Sequence, residues 1–394
     1  MARRILGVVR RSLSTSAPLQ ETKASAAAGL IALHSHGRPV WTPRNYEALA
    51  KEGYQENAVG YRCVRMISEA AASVPWVLFE ADEELDEHGL LSLLSRPNAA
   101  QSGSDLLETF YAQLQTAGNA YLEAVVLDGA VRELHGLRPD RVKVVPGSDG
   151  WPAAYEYSAN GKSFRFVQDG APPPILHMRL FNPRDDHYGL SPIEAAAKAI
   201  DIHNAAGAWN KALLDNAARP SGALVYRGSE AGTNLTDEQF SRLKSELEQT
   251  YQGSANAGRP LVLEGGLEWS AMSYSPKDMD FIEAKHVAAR EIALAFGVPP
   301  MLLGIPGDNT FSNYAEANRT FWRQTVLPLV GRTASALCEW LKPAYGENLR
   351  LWYDADRIEA LSSEREALWK RVGAADFLSE TEKREALGYG ANPK

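Results

Sequence analysis

The chain has 394 residues, of which 45% are hydrophobic and 23% are charged, and its formal net charge is −8 at pH 7. This length allows two or three domains, and the apolar content can fill substantial cores. The acidic balance argues against a broad basic face that grips nucleic acid tightly, although weak or transient contacts stay open. No run of about eighteen apolar residues is present, so we expect no membrane span.

The chain has two cysteines, Cys63 and Cys338. Their number and spacing fit neither a disulfide framework nor a zinc site, so we expect two core residues in a protein of a reducing compartment. Residues 1–20 are rich in arginine and serine and contain no acidic residue, which is typical of a mitochondrial transit peptide. A flexible basic arm is the alternative. We favour an arm over residues 1–24, because nothing downstream looks like an organellar enzyme.

Helical and strand patterns follow one another up to residue 180. Apolar spacing predicts helices over residues 57–73 and 104–117, the second capped by Ser102 or Ser104. Residues 82–88 are predicted to form an acidic turn on a solvated face. Beyond residue 120, short β-type segments separated by hairpin dipeptides predict an antiparallel β layer. The predicted strands are 76–79, 121–127, 131–137, 142–145, 154–157, 163–167 and 175–180.

The middle of the chain is predicted to be a long helix followed by a compact insert. Pro192 suits the first turn of a helix over residues 192–216, and Arg219-Pro220-Ser221-Gly222 ends that helix. The insert is predicted to contain a strand, a helix that begins with the capping pair Thr236 and Gln239, and a hairpin. Their predicted ranges are 223–226 for the strand, 235–251 for the helix, and 260–264 with 267–272 for the hairpin.

Two further helical patterns, over residues 279–296 and 312–341, surround a segment that can continue neither of them. Gly297-Val298-Pro299-Pro300 ends the first, because each proline disfavours the helical conformation of the residue before it. Residues 304–311 contain turn-forming residues and predict a loop. The second helix is predicted to start with Ser312 as its N-cap and to kink at Pro328. Residues 354–394 are predicted to form a charged helical tail.

Motifs that would announce an enzyme are missing: the chain contains no GxxxxGK[ST], GxGxxG, HExxH or GxSxG sequence. One cluster, His177, Asp185, Asp186 and His187, has the residue types of a divalent-metal site for hydrolysis. Its spacing is neither helical nor that of a tight metal loop. We therefore interpret His177 as a strand residue and residues 182–189 as a polar turn, and we expect no metal and no cofactor.

Several segments, taken in order, resemble a known family. They are Leu176-His177, Tyr188-Gly189-Leu190-Ser191-Pro192, the helix end at Asn216 to Gly222, residues 292–304 with the sequence IALAFGVPPMLLG, and Phe311-Ser312-Asn313-Tyr314. In this order they resemble the portal proteins of tailed bacteriophages and gene transfer agents. The similarity covers about residues 57–345, and Phe-Gly-Val-Pro-Pro-Met-Leu-Leu-Gly is its most specific part.

The resemblance implies an α+β portal-protein fold with a mixed α/β wing, long stem helices, an α/β clip and a short helical crown. The implied ranges are 1–24 for the flexible N-terminal arm, 25–190 for the wing, 191–216 and 278–297 for the stem helices, 217–277 for the clip, 298–311 for the tunnel loop region, 312–345 for the long wing helix and 346–394 for the crown. It also implies two groups of site residues. Pro306, Asp308, Asn309 and Thr310 would face DNA on the tunnel loop, and Arg219, Arg227 and Arg259 would contact partners in the clip.

The resemblance further implies a protein that is not an enzyme: a homo-dodecamer at one capsid vertex of a virion or gene-transfer-agent particle. Its channel would conduct double-stranded DNA, and its partners would be terminase, the head-tail adaptor and the major capsid protein. An acidic chain suits such a conduit, since a strongly basic lining would hold phosphates and retard DNA. The alternative is a metal-dependent hydrolase centred on His177 and Asp186. A large ring whose mass is insensitive to a chelator would favour the portal.

Overall fold

The computed structural model describes residues 41–81, 83–215, 222–226, 236–251, 267–271, 281–306 and 311–387. The predicted N-terminal arm lies outside these residues. Within them, no helix is long and apolar enough to cross a membrane.

Helices make up most of the described chain. They are α1 (Tyr46–Ala50), α2 (Ala58–Ala72), α3 (Gly89–Ser95), α4 (Gly103–Ala117), α5 (Pro192–Ala195), α6 (Ala197–Asp215), α7 (Asp237–Tyr251), α8 (Phe281–Phe296), α9 (Phe311–Phe321), α10 (Leu327–Tyr345), α11 (Ser362–Gly373) and α12 (Glu380–Ala386). π-Helical turns cover Lys51–Gln55 and Trp322–Val326.

The described strands are mostly short and antiparallel. They are β1 (Trp76–Glu80), β2 (Glu83–Leu85), β3 (Asn119–Leu127), β4 (Ala130–Leu137), β5 (Val142–Pro146), β6 (Pro152–Ala159), β7 (Lys162–Val167), β8 (Ile175–Arg179), β9 (Gly222–Tyr226), β10 (Leu267–Ala271) and β11 (Leu349–Tyr353).

The two helices predicted before residue 120 are confirmed, and so is Ser102 as the N-cap of the second. At the start of α4 the Ser102 hydroxyl accepts from the backbone of Asp105, and the Asp105 carboxylate accepts from the backbone of Ser102. Gly118 ends α4 with φ of 71°, and a Cβ there would lie 2.5 Å from the Gly189 carbonyl oxygen. Only glycine satisfies both conditions without strain. It thereby lets the segment before α5 pack against the end of α4.

The predicted antiparallel β layer is two sheets rather than one. β3 pairs with β4 and β8, whereas β5, β6 and β7 form a separate sheet in that order. A 3-10 turn at Pro139–Arg141 follows β4 and separates it from β5. Hairpin signals fix which neighbours pair, but they do not say where one sheet stops.

A third sheet, in the order β11-β1-β2, was not predicted. The acidic segment interpreted as a turn contains β2, which pairs with β1. β11 pairs with β1 along its whole length, from Trp76 opposite Tyr353 to Glu80 opposite Leu349. β11 alternates buried Leu349 and Leu351 with exposed neighbours. That pattern is a half-buried strand signal, and it lay in a stretch assigned to the C-terminal region.

The main core joins helices that are distant in sequence. Ile67 of α2, Leu114 of α4, Ile292 of α8 and Leu337 of α10 are each at most 1% exposed and belong to one cluster. The prediction that both cysteines are core residues is confirmed, because Cys63 and Cys338 are buried free thiols. Burial raises the pKa of the Cys63 thiol to about 12, so this thiol is inert at neutral pH.

The helix predicted around Pro192 is interrupted at Ala196, which separates α5 from α6. Helix α9 begins at Phe311, so Ser312 lies in its first turn and is not its N-cap. The disturbance predicted at Pro328 occurs just before it, in the π turn Trp322–Val326. Pro328 cannot donate a backbone hydrogen bond to the preceding turn, and the widened turn accommodates that loss.

The insert between α6 and α8 is described in three pieces. β9 pairs with β10, and α7 starts after Thr236, whose side chain and backbone exchange hydrogen bonds with Gln239 as predicted. The strand over residues 267–271 is confirmed, and its described partner is β9. Residues 260–264, the predicted other half of its hairpin, lie outside the described residues.

Candidate functional site

The seven site residues expected from the sequence fall mostly outside the described residues. Of the tunnel loop, Pro306 is described and exposed, whereas Asp308, Asn309 and Thr310 are not described. The clip residues Arg219, Arg227 and Arg259 also lie outside the described residues. What the structure provides is the scaffold that holds both segments.

The base of the loop is fixed against α8. Ile305 is 7% exposed and packs on Ala289 and Ala293 of that helix. One residue on, the Arg290 guanidinium donates a hydrogen bond to the Pro306 carbonyl oxygen. The described start of the loop, up to Pro306, is therefore anchored on α8. Sequence reasoning missed Arg290, because nothing local distinguishes it from any other charge on an amphipathic helix.

The end of α8 is also tied to the segment that follows α9. Gly297 ends α8 with φ of 67°, and its carbonyl oxygen accepts a 2.6 Å hydrogen bond from the Thr325 hydroxyl. Thr325 lies in the π turn between α9 and α10. The end of α8 and the π turn that follows α9 are thus joined directly by a hydrogen bond.

Helix α6 is joined to the start of α2 by a polar cluster around Asn57, which is 1% exposed. The Asn57 side-chain oxygen caps α2 by accepting from the backbone of Val59 and Gly60. Its amide nitrogen lies 3.1 Å from His203 Nδ1 and donates to Asn204 at 2.8 Å. Burial, and then the nearby charge of Lys285, lower the pKa of His203. A neutral His203 suits its role as acceptor from Asn57.

The two long helices around the insert expose apolar side chains to solvent. On α8, Leu294 is 78% exposed, Ile282 68% and Val287 45%; on α6, Ile202 is 43% exposed. Val287 and Leu294 share one face of α8, and the other side of the helix is buried, with Ile292 and Ala293 fully covered. Val287 and Leu294 are therefore apolar side chains that the subunit's own core leaves uncovered.

The His177 cluster is structural in its contacts. His177 stacks on Tyr121 with ring centroids 4.2 Å apart. Its Nε2 donates to the Asn119 side-chain oxygen at 3.0 Å, and its Nδ1 accepts from the Tyr155 hydroxyl at 3.4 Å. Burial lowers the pKa of His177 to about 3, with smaller effects from Arg179 and His187. The imidazole is therefore neutral at pH 7, and both of its nitrogens are occupied.

The neighbouring acids do not complete a metal site. Asp185 Oδ1 accepts hydrogen bonds from the backbone of His187 and Tyr188, and these bonds lower the pKa of Asp185. Arg179 donates to the backbone carbonyl of Asp186, which is exposed. In the described part of the chain, no group of three or more His, Cys, Asp and Glu side chains is arranged to hold a metal ion. The polar turn that contains these acids is stabilised by hydrogen bonds from its own backbone N–H groups to Asp185.

We expect His177→Ala to lower the free energy of unfolding by about 1–3 kcal/mol, because it removes a stacked ring and two hydrogen bonds. Asp186→Ala should change it by less than about 0.5 kcal/mol, as at other exposed sites. Urea unfolding measures both. Metal content measured by mass spectrometry should be the same in wild type and in the double variant. Stoichiometric zinc or manganese that is lost in the double variant would contradict this account.

The same histidine predicts a pH dependence. Its pKa is lower in the folded chain than in the unfolded chain, so the stability associated with it is full above the ordinary pKa of about 6.5. That stability is lost as the pH falls from about 6.5 toward about 3, because the unfolded chain then binds a proton that the folded chain does not. Over that range the wild type should lose about 1.4 kcal/mol more per pH unit than His177→Gln. Parallel profiles for the two proteins would be the contrary result.

Comparison with known proteins places the chain among structural components of virus-like particles. The family model described as "Phage portal protein" matches residues 58–388. An uncharacterized protein of Rickettsia bellii is 41% identical over 348 residues, covering 86% of this chain and 88% of the relative. The portal protein of Enterobacteria phage HK97 is 26% identical over 342 residues, covering 82% and 76%.

Solved structures of gene transfer agent and phage proteins are also similar to this chain. A chain in the neck of an empty gene transfer agent particle, computed with C6 symmetry, is 54% identical and aligns with a TM-score of 0.72, covering 90% of this chain and 96% of that one. A chain in the neck of the native particle, computed with C12 symmetry, is 54% identical with a TM-score of 0.70 and the same coverage. A phage portal protein from Corynebacterium diphtheriae shares the fold at 16% identity, with a TM-score of 0.54.

Proposed function

This chain belongs to the phage portal protein family, and we propose that twelve copies of it form a ring at one capsid vertex of a phage-like particle. Necks that contain similar chains have been computed with C6 and C12 symmetry. A ring of twelve subunits contains both symmetries, since sixfold rotation is a subset of twelvefold rotation. The ring is a structural component of the particle and not an enzyme.

The observation that carries the assembly is the exposed apolar surface of the stem helices. In a ring every subunit uses two different faces, one toward each neighbour. Leu294 and Val287, seven residues apart and so on one side of α8, are exposed, while the other side of the helix is buried in the subunit's own core. Packing of this second face against the next subunit removes that surface from water. A closed ring covers it in every copy.

We assign the inside of the ring as the channel for double-stranded DNA during packaging and ejection. The net charge of −8 keeps the affinity for phosphates low, so the duplex can slide. Pro306, Asp308, Asn309 and Thr310 form the collar nearest the DNA in this proposal. The supporting observation is the fixed base of this loop, where Ile305 packs on the stem helix α8 and Arg290 of that helix donates to the Pro306 carbonyl.

The insert between the stem helices, residues 217–277, is proposed to be the clip that docks terminase and then the head-tail adaptor. Its described part is a two-stranded sheet with one helix. Phe240 on that helix is 61% exposed, which suits a contact surface. Arg219, Arg227 and Arg259 are the proposed partner contacts, and the major capsid protein surrounds the wing. We also propose the arm, wing, stem, tunnel loop, long wing helix and crown with the residue ranges given above.

Replacing residues 222–272 with a short linker should leave a soluble wing and abolish terminase and adaptor binding. The wing core draws on α2, α4, α8 and α10, so the insert adds little to its stability. Copurification with each partner measures docking, and circular dichroism measures the fold. The matched control reverses only the three clip arginines to glutamate, which should weaken docking while the clip is retained. Normal packaging and tail joining after the deletion would refute the clip assignment.

The assembly itself is tested by the native mass of the purified protein. We expect a large ring in negative-stain images, and the same mass with and without a chelator. A small species whose metal is removed by the chelator would instead support a hydrolase. Both ring nitrogens of His177 are already hydrogen-bonded, which argues against the hydrolase, since a metal ligand needs a free imidazole nitrogen.

A further inference from the structure

A shallow basic groove runs along one face of α10. Two adjoining cavities, of about 630 Å³ and 360 Å³, share Ser335 and Trp352. The first has an apolar floor that includes Leu327, Pro328 and Ala336. Trp352 and Tyr353, stacked with ring centroids 4.8 Å apart, form its wall. We call this surface the α10–β11 groove.

The charge of the groove is opposite to that of the chain. Its lining includes four cationic side chains and one carboxylate: Arg323, Arg332, Lys342 and Arg350, with Glu339. Lys342 pairs with Glu339 at 2.5 Å, and Arg350 lies over the Phe79 ring at 4.3 Å. Arg332 donates to the Arg179 backbone and is exposed. An apolar floor bordered by guanidinium groups favours an aromatic or aliphatic side chain flanked by carboxylates.

The C-terminal part of the same chain presents such a side chain. Phe377 is 85% exposed and lies in the turn between α11 and α12, with Asp376 and Glu380 exposed on either side. Backbone hydrogen bonds from Ala375 to Val372 and from Leu378 to Ala375 hold the turn. Phe377 is therefore held in solvent by an ordered turn.

We propose that Phe377 of one subunit inserts into the α10–β11 groove of the next subunit, with Asp376 and Glu380 facing Arg323 and Arg332. This inference rests on the ring proposed above. Groove and inserted turn are different surfaces of one chain, as a closed ring requires, and every subunit then supplies each of them once. Aromatic side chains in pockets bordered by arginine are the usual centres of such interfaces.

The test traps the contact within assembled rings. Ser335 is exposed at the junction of the two cavities, so we pair Ser335→Cys with Phe377→Cys and treat purified rings with a short bismaleimide. We expect a ladder of covalent oligomers on a denaturing gel. Wild type and each single variant should give monomers, and Phe377→Cys alone also controls for native Cys338 in the groove lining. The mismatched pair Ser158→Cys with Phe377→Cys, which uses an exposed hairpin residue, should likewise give monomers.

Other results would overturn the inference. Intact rings whose paired cysteines give only monomers show that the turn does not reach the neighbouring groove. An intramolecular link shows that it occupies its own subunit's groove. Protection of the introduced thiol from maleimide by duplex DNA, in rings of Ser335→Cys, shows that nucleic acid fills the groove. Absence of rings in the wild type would instead refute the proposed assembly.

A charge exchange keeps the inference testable if the cysteine pair fails to assemble. Asp376→Arg and Arg332→Asp should each lower the denaturant concentration at which rings dissociate. Combined in one chain they should restore part of that loss, because the opposite charges again face each other across the interface. Purely additive effects of the two substitutions would count against the contact.

Discussion

Leu294→Glu should abolish ring formation and leave a folded subunit. Leu294 is 78% exposed in the isolated chain, so its replacement removes little from the core formed by the neighbouring Ile292 and Ala293. At the interface between subunits, loss of an apolar anchor costs roughly 2–4 kcal/mol. Burial of an unpaired carboxylate adds to that cost. The cost recurs at every interface of the ring, so we expect monomers.

Analytical ultracentrifugation measures the assembly state, and thermal unfolding measures the stability of the subunit. Val287→Glu should give the same result, since Val287 is 45% exposed and lies seven residues before Leu294 on the same face of the helix. The matched control is Leu127→Glu, which puts the same charge at a 61% exposed leucine at the end of β3. Rings of Leu294→Glu as stable as those of the control would show that this face of α8 does not lie between subunits.

Lysines at positions 308 and 309 should make DNA packaging or retention depend on salt while the ring stays intact. Asp308→Lys with Asn309→Lys adds positive charge to the proposed collar in every subunit. Phosphates of the duplex then bind this collar, and the binding weakens as salt screens it over a Debye length of about 8 Å at physiological ionic strength. The DNA content of particles prepared at low and high salt measures the effect.

The control places the same charge change on the wing, with Asp86→Lys and Ser158→Lys. Both positions are exposed and lie outside the proposed channel. The control should package normally at each salt concentration. If the loop variant packages like the control, with intact rings, then this loop does not face the DNA.

Local signals in the sequence predicted most of the individual elements. The strands around Asn160-Gly161 and the helix capped by Ser102 are specified by residues within a few positions of one another. The pairing of β11 with β1 joins residues more than 250 positions apart, and no local pattern names such a partner. The division of the predicted β layer into two sheets depends in the same way on the path of the chain after β4.

The candidate site likewise has features that the sequence predicted and features that it could not predict. Turn-forming residues after Ile305 marked the loop, and its expected role came from the resemblance to portal proteins. The ties at its base, from Arg290 to Pro306 and from Thr325 to Gly297, could not be predicted. Arginine and threonine are ordinary on exposed helical faces, and only the crossing of α8 with the π turn brings Thr325 to the Gly297 carbonyl. A π turn before Pro328 is likewise one of several ways to accommodate a proline in a helix.

The cluster at Asn57 makes one side chain part of two cooperative units. Its oxygen holds the first turn of α2, while its nitrogen holds His203 and Asn204 on the stem. If the stem detaches locally, Asn57 loses its partners on α6 and the cap of α2 loosens with it. Hydrogen exchange at the Val59 and Gly60 amides therefore reports on openings that start in the stem. In the proposed portal, a mechanical load on the stem during DNA translocation would reach the interior of the wing by this route.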